Sequence, residues 1–245
     1  MTLPRPLSLS DDHVARIAAG DGPLHDPRWR MLEDDDLDIL ADRLTRGRPR
    51  PVPIFAYGSL IWNPGFAVGA RRRATAVGWH RSFSIHLDHF RGSPDRPGLM
   101  LALAPGGRCD GLVLDIASGT ETESLRAILR RELVAHELAA NACWVTVDTD
   151  RGREQALTFY ADPVGTPTAL LSVAEQARRL ARAAGAAGSG AEYLLRTARG
   201  LAEQGIHDDY IWALQHAVAQ EIDAATDETF ITPPGQVRSA ECVEK

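Results

Sequence analysis

The sequence predicts an α+β protein with a small antiparallel barrel or curled sheet at its core and helices packed around it. Three observations predict this. Between residues 52 and 160 the apolar residues come in short runs, several of them alternating with polar ones. Most links between these runs are too short for parallel crossovers, which favours antiparallel pairing. The last third of the chain then changes to helical periodicity.

Taken in order, residues 1–50 read as a helical extension and linker, 51–225 as one folded unit and 226–245 as an irregular tail. In the extension, "SLSDDHVARIAAG" predicts a short helix with Ser10 as N-cap and Gly20 as its stop. A second helix is predicted in "EDDDLDILADRLTRG", where Leu37, Ile39, Leu40 and Leu44 supply a partial apolar stripe. "RGRPRPVP" breaks the chain with three prolines.

The strands begin with "VPIFA". "RSFSIHL" sets Phe83, Ile85 and Leu87 against Ser82, Ser84 and His86, the pattern of a half-buried strand. "GLMLALA" and "GLVLDI" read as two strands joined by a hairpin turn at "PGGRCDG". "CWVTVDTD" and "EQALTFYA" form another pair around "DRGR". Helices follow: one from the capping box Ser172 and Glu175, then "AEYLLRTARGLAEQG" and "DDYIWALQHAVAQEI".

Composition narrows the function classes. Of 245 residues, 44% are hydrophobic and 24% charged, as in ordinary globular proteins. The net charge of −6 argues against a nucleic-acid or anionic-membrane partner. No apolar run reaches the roughly 20 residues of a membrane-spanning helix, and the first residues lack a secretory pattern. Cys109, Cys143 and Cys242 are an odd number and far apart, which fits free thiols in a reducing cytoplasm. The eight histidines form no metal-binding spacing, so no metal is expected.

Two features stand out chemically. In "IFAYGSLIWNPG" an apolar run stops at Gly58 and Ser59 and then resumes. This is either a plain turn or a loop whose bare amides hold a ligand. In "ETESLRAILRRELV", Leu125, Ile128, Leu129 and Leu133 form a helical apolar stripe, and Glu132 falls on it. A carboxylate there is costly unless paired or used. Burial would raise its pKa and suit it to acid/base work, while the adjoining Arg130 and Arg131 offer an ion pair instead. "GAAGSG" at 185–190 lacks the Gly-Lys-Ser/Thr ending of a phosphate loop and reads as a turn between helices. Ser59 is not in a nucleophile elbow, and His207, Asp208 and Asp209 read as helix caps.

The ordered set "FAYGSLIWNPGF", "VGWHRSF", "RGSPDRPG", "LMLALAPGG", "LRRE" and "GAEYL" resembles the ChaC-type γ-glutamylcyclotransferases from residue 52 to roughly 220. The resemblance implies a small antiparallel β-barrel flanked by helices, with the pocket at its rim and no cofactor. It implies a small-molecule substrate, glutathione, whose own α-amine attacks its γ-carbonyl, closing 5-oxoproline and releasing Cys-Gly. Glu132 maps to the family's general acid/base. Tyr57, Gly58, Ser59 and Leu60 map to the loop that grips the γ-glutamyl group, and Tyr193 to a tyrosine near the pocket, or else to an ordinary helix-face aromatic. The segment after the glutamate, "LVAHELAANACW", lacks the Tyr and Pro of the family pattern and is about two residues longer, and Leu99 stands where some relatives carry Arg. The alternatives are the same cyclisation on another γ-glutamyl amine or dipeptide, and a binding or regulatory protein on this fold. A Ser/His hydrolase is a third reading. The oligomeric state is not legible.

Overall fold

Five strands close into a barrel in the order β1-β3-β2-β4-β5. They are β1 (Pro53–Ala56), β2 (Val68–Leu87), β3 (Gly98–Ile116), β4 (Ala142–Thr149) and β5 (Gly152–Phe159). The computed structural model describes residues 6–161, 168 and 170–231, with side chains as far as Ala225. Each successive pair around the barrel is antiparallel except the closure, where β1 runs parallel to β5 through Ile54 and Leu157. An odd number of strands makes this unavoidable, because alternating directions cannot close on themselves antiparallel. Every residue of β1 is buried, as expected for a strand covered on both faces. Phe55, Val113, Val145, Val147 and Ala156 form a cluster of strand residues alone. Ile54, Ala56, Leu112, Leu114 and Leu157 face the other way and join the helices in the larger core.

One expectation fails here. "GLMLALA" and "GLVLDI" are not two strands with a hairpin between them but the two ends of β3. The glycines make a bulge, not a turn. Gly106 and Gly107, both at positive φ, lie opposite Gly78, also at positive φ, and the register shifts between Val77 and Trp79. Glycine tolerates that backbone, and a bulge bends a long strand without ending it. A second shift between Phe83 and Ile85 breaks the alternation of "RSFSIHL", leaving Ser84 buried and Ile85 only half-buried.

The helices are α1 (Asp11–Ala15), α2 (Asp34–Thr45), α3 (Ser59–Trp62), α4 (Glu121–Glu132), α5 (Val173–Arg182), α6 (Gly190–Glu203) and α7 (Asp209–Ile231). Ser10 caps α1, which ends at Ala15, short of Gly20. Ser172 and Glu175 form the capping box of α5, and Asp208 caps α7 by accepting from the Ile211 N–H at 3.0 Å. "GAAGSG" supplies the tight hairpin Ala184–Gly185/Gly188–Ser189 between α5 and α6. Helix α7 continues to Ile231, past the point where an irregular tail was expected, while 232–245, with Cys242, lie outside the described residues.

The extension packs onto the barrel unit. Leu9, Leu32, Leu37 and Leu40 join the same buried cluster as the α4 and α6 leucines. Ile39, expected on the stripe, is 69% exposed instead, since the face of α2 turned to α4 carries Leu37 and Leu40.

Candidate functional site

The segment after β1 enters α3 at once. Gly58 is the N-cap, and its carbonyl accepts the Ile61 N–H at 3.0 Å. As at any helix start, the first amides have no partner within the helix. The residue at 58 must be small. A Cβ there would stand 3.2 Å from Leu101 Cδ2 and 3.4 Å from the Tyr193 hydroxyl. Leu60 and Ile61 are buried and anchor α3 in the core. Gly200 on α6 leaves room for Trp62, whose indole Nε1 donates to Thr197 at 3.4 Å.

Tyr193 lies near the start of α6 with 6% of its surface exposed. Its ring is wedged edge-on between Trp62 and Phe83, at centroid distances of 6.2 and 5.9 Å. Ser59 is close enough to the Tyr193 hydroxyl to favour the charged phenol, against the effect of burial. Ser59 Oγ accepts from Arg131 Nη2 at 2.7 Å. Arg131 Nη1 donates to the Asn63 carbonyl, and Nε stands 3.2 Å from Glu132 Oε1. Thus Glu132, Arg131, Ser59 and Tyr193 form one contiguous group, drawn from α4, α3 and α6.

Glu132 is the last residue of α4. Its side chain keeps 21% of its surface exposed, yet Oε1 is out of contact with solvent and has no hydrogen-bond partner. Nε of Arg131 is within ion-pair distance of it but off the direction of a hydrogen bond. Arg130, the other expected partner, turns away to Asp34. Burial pushes the Glu132 carboxyl above its ordinary range, and Arg131 only partly offsets this. The C-terminal end of a helix also disfavours negative charge.

The two tyrosines respond to the same surroundings. Burial pushes the Tyr193 phenol up to about 12, and the Glu132 charge adds to it, against the pull of Ser59, Arg131 and Arg91. Tyr57 is raised well above the usual phenol range by burial, then by Tyr193, Glu132 and Cys109, with a hydrogen bond from the Leu103 backbone opposing. Both phenols are therefore neutral donors at neutral pH.

All six residues singled out in the sequence are accounted for: Glu132, Ser59, Tyr193 and Gly58 meet, Tyr57 shares their field, and Leu60 serves as anchor. Sequence reasoning missed Arg91. Its guanidinium lies 5.5 Å from the Tyr193 ring centroid and donates to the Ser189 carbonyl and Glu192, each at 3.0 Å. The signal was its place at the head of "RGSPDRPG". Two polar clefts, of about 320 and 500 Å³, lie elsewhere, and neither is lined by Glu132, Tyr57 or Tyr193. Among the described residues no group of three His, Cys, Asp or Glu side chains could hold a metal ion. No described helix is long and apolar enough to cross a membrane.

Known proteins share both the sequence and the fold. The glutathione-specific γ-glutamylcyclotransferase of Escherichia coli K12 is 35% identical over 161 residues, 65% of this chain and 69% of its own length. γ-Glutamylcyclotransferase 2-1 of Arabidopsis thaliana is 25% identical over 190 residues, 74% of this chain and 88% of its own. Among solved structures, a yeast γ-glutamyl cyclotransferase specific to glutathione superposes with a TM-score of 0.60. At 19% identity, over 69% of this chain and 96% of that one, it shows the shared fold. The family described as ChaC-like protein matches residues 52–221, which span the barrel, α4 with Glu132 and α6 with Tyr193; the chain belongs to the ChaC-like family.

Proposed function

We propose that this protein is a γ-glutamylcyclotransferase that cleaves glutathione to 5-oxoproline and Cys-Gly, with Glu132 as general acid/base. One observation carries the reading: a carboxyl group with one oxygen out of water and unpartnered, beside two neutral tyrosines and a bare glycine loop. Such a group takes up a proton near neutral pH more readily than an ordinary glutamate.

The reaction needs little else. The substrate's α-nitrogen forms a bond to its γ-carbonyl carbon, and the bond from that carbon to the cysteine nitrogen breaks. Glu132 takes the proton that the attacking amine loses and returns it to the departing nitrogen. Ring closure is intramolecular, so the enzyme gains by holding the γ-glutamyl chain folded. The Tyr57–Leu60 loop is suited to this, because its amides can receive the α-carboxylate or the developing oxyanion. Arg91 and Arg131 add positive charge beside Tyr193. Free thiols at Cys109 and Cys143 accord with a cytoplasmic setting.

The test is a paired assay. Wild type and Glu132→Gln are incubated with glutathione, and 5-oxoproline and Cys-Gly are followed by mass spectrometry. Product from wild type alone is expected. Product from both removes Glu132 from the mechanism. Product from neither rejects glutathione, and the next substrates are other γ-glutamyl amines. That second reading is favoured by the segment after Glu132, which departs from the family pattern.

A further inference from the structure

Arg81 is the most deeply buried guanidinium in an ion pair among the described residues, with 1% of its side chain exposed. It sits on β2 and reaches the loop of the candidate site from outside it. Nε donates to the backbone carbonyl of Tyr57 at 2.7 Å, Nη1 to Asp208 Oδ2 at 2.7 Å, and Nη2 to the Asp110 carbonyl. Asp208 is itself held, since its other oxygen caps α7. The guanidinium is therefore locked by β3 and the start of α7, with one arm on the peptide that joins Tyr57 to Gly58.

That peptide is trans, as Arg50–Pro51 is the cis bond of the described backbone. In a trans peptide the carbonyl and the following N–H point in opposite directions. Holding the Tyr57 oxygen thus sets the direction of the Gly58 N–H. A charged donor on the oxygen also polarises the peptide and strengthens its N–H as a donor. Gly58 is the residue whose Cβ would meet the Tyr193 hydroxyl, so its amide belongs to the loop assigned above to the γ-glutamyl group.

We propose that Arg81 is a positioning residue that aims and strengthens the Gly58 amide toward the substrate. The inference rests on the cyclotransferase reading for its kinetic consequence but not for its structural one. A lysine at 81 keeps a charge but cannot hold all three acceptors at once. Arg81→Lys is expected to lower kcat/KM for glutathione by about tenfold or more while unfolding within a few degrees of wild type. The backbone amide ¹H–¹⁵N signal of Gly58 is expected to move. Arg108→Lys, at a residue that lines the cleft of about 500 Å³ together with Arg81 but bonds to Asp110 and Thr75 and not to Tyr57, is expected to change neither.

A folded Arg81→Lys protein with kcat/KM within twofold of wild type, or with the Gly58 signal unmoved, overturns the proposal. So does an equal loss in Arg108→Lys, which would assign the effect to the charge of the cleft. If Arg81→Lys does not fold, Asp208→Asn is read the same way, because it removes the counter-charge and keeps a capping side chain. An unmoved Gly58 signal in that variant is equally fatal. If wild type fails to turn over glutathione, the cyclotransferase reading falls, and the Gly58 signal alone decides the role of Arg81.

Discussion

Leu32 donates its backbone N–H to the carbonyl of Val134 at 3.1 Å, two residues beyond Glu132. The Arg30 carbonyl accepts from the His136 N–H at 2.9 Å in the same ladder. Helix α2 then lies along α4, with Asp34 on Arg130 and Asp38 on Arg126. Residues 30–45 therefore splint the helix that ends in Glu132. They also hold the segment that departs from the family pattern, where Asp36 pairs with His136 at 3.2 Å.

The surface ion pairs contribute little each, so the buried leucines should carry the attachment. Leu37→Ala, at a fully buried position, is expected to cost about 2–5 kcal/mol and to lower the temperature of one unfolding transition when followed by calorimetry. An unshifted main transition, with a new early one, would show the extension to be energetically separate.

Glu132 makes stability depend on pH in a specific sense. Its carboxyl is raised above the ordinary 4.5, so the folded state resists the charge that the unfolded chain accepts. Wild type is penalised as pH rises from about 4.5 through the raised value. Glu132→Gln stays neutral throughout. Its Tm should match wild type at pH 4, exceed it by an amount that grows as pH rises through the raised value, and keep that excess up to pH 8. A constant difference across that range would show that the carboxyl titrates normally. As the required base, Glu132 also predicts that kcat/KM falls with falling pH through the same raised value.

Ser59 accepts from Arg131 at 2.7 Å beside Tyr193 and is not placed as a nucleophile. Ser59→Ala should raise KM about tenfold by releasing the Arg131 guanidinium and leave turnover measurable. Complete loss of kcat at unchanged KM would favour the hydrolase reading instead.

Gly58→Ala inserts a methyl group 3.2 Å from Leu101 Cδ2. Leu101 is buried and has little room to yield, so about 1–3 kcal/mol of destabilisation is expected. Substrate binding should weaken more than stability does, because the same methyl stands beside the Tyr193 hydroxyl. Wild-type KM in this variant would argue that the loop does not touch substrate.

Some of this was legible in residue order alone. Local rules suffice for helix caps such as Ser10 and Ser172, where a side chain meets an amide three residues on. Periodicity along one helix was enough to mark Glu132, because burial of a helical face is set by spacing. Motif order reached the loop at Tyr57–Leu60 and Tyr193. Residues whose roles are defined by distant partners were out of reach. Arg81 meets Tyr57, Asp110 and Asp208 across separations of up to 127 residues, and no local pattern separates such an arginine from a solvated one. The glycines of "PGGRCDG" have the chemistry of a turn and of a bulge alike. Only pairing along the whole length of β2 selects the bulge, since the long-range ladder outweighs the local preference. The extension reads as a linker and helices by composition, and it becomes a splint only when the apolar edge of α2 meets that of α4. The alphabet and spacing of this chain thus determined which residues are the candidates for its chemistry. Tertiary packing decided what holds them, because burial and hydrogen-bond partners are properties of the assembled core.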